Sequence, residues 1–92
     1  MLFELRYHPD VKEIDIPALN EKLRKRIKNA IETRLMTAPH EYGEPLRKTL
    51  KGYWKLRVGD YRVVFKVVNS EIWIFGIIHR KEVYKKIEKR TP

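Results

Sequence analysis

The chain has 92 residues and a formal charge of +9, from 21 Lys and Arg against 12 Asp and Glu. Its length allows one domain over residues 1–92 with a modest core, and the 42% of hydrophobic residues argue against a disordered tail. The absence of Cys excludes disulfides and thiolate metal sites. No apolar run approaches the roughly 20 residues that cross a bilayer, and the first residues lack a signal-peptide layout, so we expect a cytoplasmic protein without membrane contact. The charge suits a polyanion such as nucleic acid, or an acidic protein.

The first half of the chain predicts a short strand followed by helices. Residues 3–7 alternate apolar and charged side chains, which is typical of a strand. A helical turn is predicted over residues 9–14, and a long helix over residues 15–36 with Asp15 as its N-cap. Residues 37–45 are predicted to form a loop because they contain two prolines. The long helix has an apolar stripe that recurs every four residues, at Leu19, Leu23, Ile27, Ile31 and Leu35.

The second half predicts three strands and a final helix. Residues 53–58, 61–68 and 72–78 are rich in β-branched and aromatic side chains, and the turns Gly59-Asp60 and Asn69-Ser70 separate them. Residues 80–90 form a basic helical segment. The fold class is therefore α+β in the order β-α-α-β-β-β-α. It consists of a small antiparallel sheet with a mixed edge, two N-terminal helices packed on one face, and a short C-terminal helix.

The two turns also predict which residues pair across the strands. A two-residue turn at residues 59–60 gives the pairs Val58–Tyr61, Arg57–Arg62, Leu56–Val63, Lys55–Val64, Trp54–Phe65 and Tyr53–Lys66. The turn at residues 69–70 gives the pairs Val67–Ile72, Lys66–Trp73, Phe65–Ile74, Val64–Phe75, Val63–Gly76 and Arg62–Ile77.

In this register, one sheet face carries basic and aromatic side chains together. The set comprises Lys55, Arg57, Arg62 and Lys66 with Tyr53, Trp73 and Phe75. Like charges directly opposite each other, such as Arg57 and Arg62, destabilise a sheet by a few tenths to about 1 kcal/mol, so stability alone does not explain the pair. Cations bind phosphates and aromatic rings stack on bases, which makes this face a candidate RNA surface. A solvated face, or a face covered by a partner protein, remains the alternative.

Two segments resemble the RelE/ParE toxin superfamily: RVGDYRVVF at residues 57–65 and HRKEVY at residues 79–84. The element order fits that superfamily over nearly the whole chain. The resemblance implies the toxin of a type II toxin–antitoxin system. It further implies ribosome-dependent cleavage of mRNA in the A site without a metal or other cofactor, by attack of the 2′-OH on the adjacent phosphate. Such a reaction needs cations around the phosphate, a proton acceptor and a proton donor.

The resemblance also implies roles for individual residues. Lys55, Arg62, Arg80 and Tyr84 match catalytic positions, with Arg62 on the scissile phosphate and Tyr84 against a base. Glu44 resembles the general base of the YoeB branch, although this chain lacks the His-Tyr pair at the C-terminus of that branch. Some RelE enzymes have a lysine at the position of Tyr53, so the base is either Glu44 or a lysine.

The remaining RNA contacts are expected from cations around this site and on the long helix. Arg57 and Lys66 would support the phosphate site, and His79 would act as an acid or contact the substrate. Lys22, Lys25 and Lys28 would contact ribosomal phosphates. Each role has a structural alternative: Arg62 could pair with Asp60, and Tyr84 could be a packing residue.

The resemblance finally implies partners and competing activities. The expected partners are the ribosome, mRNA and a cognate acidic RelB-like antitoxin that folds on the toxin surface. A ParE-like inhibitor of DNA gyrase on the same fold is one alternative function. A non-catalytic RNA-binding member is another.

Overall fold

The computed structural model describes residues 3–47 and 50–91, which form one five-stranded mixed sheet with helices. The strands are β1 (Glu4–Tyr7), β2 (Glu44–Pro45), β3 (Trp54–Val58), β4 (Tyr61–Val68) and β5 (Glu71–His79). The helices are α1 (Ile16–Ala18), α2 (Glu21–Ala30), α3 (Pro39–Tyr42) and α4 (Val83–Arg90), with π-helical turns at Val11–Asp15 and Ile31–Leu35. The strand order is β1-β5-β4-β3-β2, with β1 parallel to β5 and the other pairs antiparallel. The predicted fold class is confirmed. Within the described residues, no helix is long and apolar enough to cross a membrane.

The helical region begins differently from the prediction of one helix over residues 15–36. The chain is extended at Leu19 (φ −86°, ψ 142°), and α2 starts after it. The Asn20 side chain caps α2, because its Oδ1 accepts a hydrogen bond of 2.8 Å from the Leu23 N–H. Asp15 stands at the N-cap position of α1 with Pro17 in the first turn, as predicted, but its side chain makes no capping hydrogen bond. The predicted helical turn over residues 9–14 is confirmed as the turn at Val11–Asp15.

The main core lies between the α2 layer and one face of the sheet. The apolar stripe of the helix supplies Ile27, Ala30, Ile31 and Leu35, all buried. The sheet supplies Leu56, Val58, Val63, Phe65, Ile72, Ile74 and Ile77. The four-residue spacing read from the sequence therefore corresponds to the buried side of the helix.

Helix α4 packs on the face of the sheet opposite to the N-terminal helices. Its Val83 and Ile87 are buried in a second cluster with Val64 and Ile78 of the sheet. A Cβ on Gly76 would lie 2.9 Å from Ile87 Cδ1, so this glycine permits a close approach of α4 to β5. The face predicted to be open and basic is thus partly covered by α4.

The first hairpin has the predicted register, and the second has it only near the turn. All five pairs of β3 and β4 from Val58–Tyr61 to Trp54–Phe65 are confirmed. Between β4 and β5 the predicted pairs hold as far as Phe65–Ile74, and a β-bulge then shifts the register. Val64 pairs with Gly76, Val63 with Ile77, Arg62 with Ile78 and Tyr61 with His79. The predicted pairs Val63–Gly76, Val64–Phe75 and Arg62–Ile77 are wrong, because Phe75 is an extra residue in β5.

A buried ion pair at this bulge joins the segment before α1 to the last residue of α4. Arg90 binds both carboxylate oxygens of Asp15, with Nη1–Oδ2 at 2.7 Å and Nη2–Oδ1 at 2.8 Å. The same groups bind the open backbone of β5: Arg90 Nη1 donates to the Phe75 carbonyl, and Asp15 Oδ2 accepts from the Ile77 N–H. The hydrogen bond to Asp15 is the main cause that raises the pKa of Arg90. The ion pair thus takes the place of a neighbouring strand where β1 has ended.

Candidate active site

A small polar cavity of about 170 Å³ lies on the sheet face that carries α4. Its lining consists of Tyr42, Glu44, Lys55, Arg57 and Arg62. Four of these five side chains were predicted from the sequence as catalytic or RNA-binding residues. We call this cavity the phosphate pocket.

Strand pairing places the four predicted side chains together. Glu44 lies directly opposite Lys55 in the β2–β3 pair, and Arg57 lies opposite Arg62 in the β3–β4 pair. Residues directly opposite each other in an antiparallel pair project to the same face. The stretch 37–45 was predicted to be loop, which is wrong: it contains α3 and β2. The short strand β2 fixes Glu44 beside Lys55.

The phosphate pocket has an excess of positive charge. It contains two guanidinium groups and one ammonium group, with Glu44 as the single carboxylate of its lining. None of these four charged groups forms an ion pair among residues 3–47 and 50–91. The Arg62 guanidinium is oriented by two backbone carbonyls, with Nη1 at 3.1 Å from Gly59 O and 3.0 Å from Tyr61 O. The pocket is therefore suited to an anion with several oxygens, such as a phosphodiester.

Tyr84 packs beside this pocket on the same face. Its ring belongs to the second cluster with Val64, the residue directly opposite Lys55. The Tyr84 hydroxyl accepts a long hydrogen bond of 3.4 Å from the Arg47 N–H, just beyond β2. The residue therefore has a packing role on the sheet face that carries the phosphate pocket.

Arg80 and His79 leave the end of β5 on different sides. The Arg80 N–H donates to the Asp60 carbonyl at 2.8 Å, and its Nε lies 3.7 Å from Asp60 Oδ1. Asp60 thus pairs with Arg80, and the alternative pair of Arg62 with Asp60 is not formed in the described part of the chain. His79 pairs with Tyr61, and their rings meet edge to face at 5.6 Å. Because of the bulge, His79 lies on the same sheet face as Tyr61, near Ala18 and Leu19, and does not line the phosphate pocket.

Lys66 and the aromatic residues lie further along the face with the phosphate pocket. Lys66 Nζ is 5.2 Å from the centroid of the Tyr53 ring, and the Tyr53 and Phe75 rings meet edge to face at 5.0 Å. These contacts agree with the predicted grouping of basic and aromatic side chains.

The three predicted helix lysines lie on the other side of the molecule. Lys22, Lys25 and Lys28 are exposed on α2, which packs on the opposite face of the sheet. Lys25 forms an exposed ion pair of 3.5 Å with Glu21. The sheet separates these lysines from the phosphate pocket. Any contact they make is therefore with a different part of a partner from the part that enters the phosphate pocket.

Sequence reasoning missed Tyr42, whose ring is 53% exposed at the pocket wall. The available signal was its position two residues before Glu44, at the end of a short helix that the sequence pattern did not reveal.

One family model and one curated relative match most of the chain. The model describes the ParE toxin of type II toxin–antitoxin systems (parDE), and it matches residues 5–84. A relative named Toxin RelE, from Mycobacterium tuberculosis, is 33% identical over 73 residues. The match covers 77% of this chain and 75% of that protein.

Solved structures with the same fold include both free and complexed proteins. The toxin–antitoxin complex RelBE2 of Mycobacterium tuberculosis superimposes with a TM-score of 0.80 at 22% identity, covering 87% of this chain and 93% of that one. A mutant of Escherichia coli toxin RelE in the free state gives 0.76 at 18% identity over the full length of both chains. The YoeB–YefM complex of Staphylococcus aureus gives 0.62 at 22% identity, covering 86% and 98%.

Proposed function

This chain belongs to the RelE/ParE superfamily of type II toxins, and from that premise we propose that it is an endoribonuclease that cleaves mRNA in the ribosomal A site. The observation that carries the proposal is the phosphate pocket, where Glu44 is the single carboxylate among Lys55, Arg57 and Arg62. A proton acceptor beside several fixed cations is the arrangement that internal attack on a phosphodiester needs.

Each side chain has a chemical role in the proposed reaction. The 2′-oxygen attacks phosphorus as its proton passes to the Glu44 carboxylate, while Arg57 and Arg62 bind the phosphate oxygens. The bond from phosphorus to the 5′-oxygen breaks, and the Lys55 ammonium donates a proton to that leaving oxygen. The products are a 2′,3′-cyclic phosphate and a 5′-hydroxyl. Glu44 is preferred over a lysine as the base because it is the single carboxylate in a lining whose other charged groups are cations that can bind the phosphate oxygens.

Tyr84 and Arg80 extend the proposed site at its margin. The Tyr84 ring is placed to stack on or orient a base next to the scissile phosphate. Arg80, at the end of β5 beside Asp60, supplies a further cation for the RNA backbone. Lys66, beside Tyr53, would contact the strand further along the face.

A ribosome would supply what this small domain lacks. The phosphate pocket of about 170 Å³ is lined by charged groups and one tyrosine, and it offers little to read a base sequence. Binding in the A site would present and bend the message, and the charge of +9 would favour docking on ribosomal RNA.

The partner we propose for the free toxin is an acidic antitoxin. Two of the similar structures are toxin–antitoxin complexes, RelBE2 of Mycobacterium tuberculosis and RelB–RelE of Methanococcus jannaschii. The excess of basic residues on this chain is complementary to an acidic, RelB-like chain that folds on its surface.

Translation in vitro with purified protein, followed by primer extension on the message, tests the function. We expect codon-spaced cuts that disappear with Arg62→Ala or Arg80→Ala. The alternative implied by the family, inhibition of DNA gyrase, predicts intact message together with trapped gyrase–DNA complexes. A non-catalytic RNA-binding member predicts a bound and intact message with no effect on gyrase.

The helix lysines provide a separate test of ribosome docking. Replacing Lys22, Lys25 and Lys28 by Glu should abolish ribosome-dependent cleavage, because six units of charge change on the surface proposed to meet ribosomal phosphates. The side chains are exposed, so the thermal unfolding curve should keep its cooperative shape. Unchanged cleavage by the triple variant would show that α2 does not dock on the ribosome.

A further inference from the structure

A second polar cavity, of about 440 Å³, lies beside the phosphate pocket at the edge of β3. We call it the arginine pocket, because three arginines are part of its lining together with small and polar residues. The lining comprises Arg26, Asn29, Ala30, Thr33, Arg34, Arg57, Val58 and Gly59. No residue role implied by the family resemblance or by the proposed reaction uses Arg26 or Arg34.

The arginine pocket is built by α2, the helical turn that follows it, and an uncovered stretch of β3. Arg26, Ala30 and Arg34 recur every four residues, so they lie along one side of this helical segment. Strand β2 pairs with β3 only at Trp54 and Lys55, which leaves the edge from residue 56 onward open. Arg57, at this open edge, is part of the lining of both pockets.

The cations of the arginine pocket have no carboxylate partner in the described part of the chain. Neither Arg26 nor Arg34 nor Arg57 forms an ion pair there. The Arg26 guanidinium lies close to the Gly59 turn, where a Cβ would come 3.0 Å from its Nη1. Three arginines around one cavity, none of them in an ion pair within the described residues, indicate a site for an external anion.

The two pockets are joined at two points. Arg57 is shared, and the Arg34 guanidinium carbon lies 6.0 Å from the centroid of the Tyr42 ring, which is part of the phosphate pocket wall. An anion in one pocket is therefore next to an anion in the other. A chain of phosphates linked by ribose fits this arrangement, because its charges repeat along one continuous strand.

We propose that the arginine pocket binds a backbone phosphate of the RNA strand whose scissile phosphate occupies the phosphate pocket. This inference rests on the proposed function. Arg26 and Arg34 are the new phosphate ligands, and Arg57 contacts the strand between the two pockets. The RNA strand would run from the sheet face that carries α4, around the edge of β3, to α2.

Binding of uncleavable RNA tests the proposal without requiring catalysis. The probes are 2′-O-methyl RNAs, which lack the attacking hydroxyl: a dinucleotide with one phosphodiester and a strand of about eight nucleotides, long enough to span both pockets. The arginine variant combines Arg26→Gln and Arg34→Gln. Its control, the lysine variant, combines Lys85→Gln and Lys89→Gln and removes two exposed charges from α4.

We expect the arginine variant to bind the longer strand about tenfold more weakly at low salt. The log–log salt slope should be smaller by about 0.7, the value for one phosphate contact on a single strand, because one backbone phosphate loses its ligands. Its affinity for the dinucleotide, and the affinity of the lysine variant for both probes, should match the unmodified protein.

Several results would overturn the proposal. One is an equal loss of affinity for the longer strand in the arginine and lysine variants. Others are a loss of affinity of the arginine variant for the dinucleotide as large as that for the longer strand, or no loss for the longer strand. The last is no binding of RNA by the unmodified protein. If binding of an acidic peptide depends on Arg26 and Arg34 while binding of the longer RNA does not, the pocket belongs to a protein partner. If strand binding depends on both arginines but translated message stays intact, the second phosphate site stands and the proposed cleavage fails.

Discussion

Replacing Glu44 by Gln should lower the rate of message cleavage by about 100-fold or more, which is the usual contribution of a general base. The substitution keeps the shape of the side chain and removes its ability to accept the 2′-OH proton. Glu44 is exposed, so the folded state should be unaffected. The measurement is the single-turnover rate of cleavage on ribosomes programmed with one message, over a range of pH.

The pH dependence separates a base from a binding residue. If Glu44 accepts the proton, Glu44→Gln should change the shape of the pH–rate profile, whereas the loss of a residue that only binds RNA should lower the rate by a similar factor at every pH. The matched variant is Lys55→Met, which removes the opposite side chain in the same pocket. Full activity of Glu44→Gln beside an inactive Lys55→Met would assign the base to the lysine.

Replacing Arg90 by Met should lower the free energy of unfolding by about 3 kcal/mol or more, the typical cost of leaving a buried carboxylate unpaired. The Asp15 side chain is only 3% exposed and that of Arg90 only 7%. For a domain of this size the melting temperature should fall by roughly 4–8 °C per kcal/mol. Urea unfolding followed by circular dichroism measures the effect.

Two further variants identify the cause of this loss. Combining Arg90→Met with Asp15→Asn should recover part of the lost stability, because the buried charge is then removed as well. The neighbouring exposed change Lys89→Met should alter the free energy of unfolding by less than about 0.5 kcal/mol. A loss below about 1 kcal/mol for Arg90→Met would mean that water reaches the Asp15 carboxylate after the substitution and solvates it.

The sequence determined the first hairpin and therefore most of the phosphate pocket. Alternation of side chains predicted β3 and β4, and the short turn at Gly59-Asp60 fixed their register, because both signals act within a few residues. Arg57 opposite Arg62 and Lys55 opposite Val64 followed directly and are confirmed.

Tertiary structure alone decided the features that join distant parts of the chain. The bulge at Phe75 lies where α4 approaches Gly76 and where the Asp15–Arg90 pair, 75 residues apart in sequence, binds the open edge of β5. That bulge turns His79 away from the phosphate pocket.

Two further features depend in the same way on elements brought together by folding. One is strand β2, which sets Glu44 beside Lys55, and the other is the arginine pocket, where α2 meets the edge of β3. Local patterns record the conformation of each segment. They do not record which long-range contacts will satisfy the backbone groups and charges left at its edges, and the packing of the whole domain decides those.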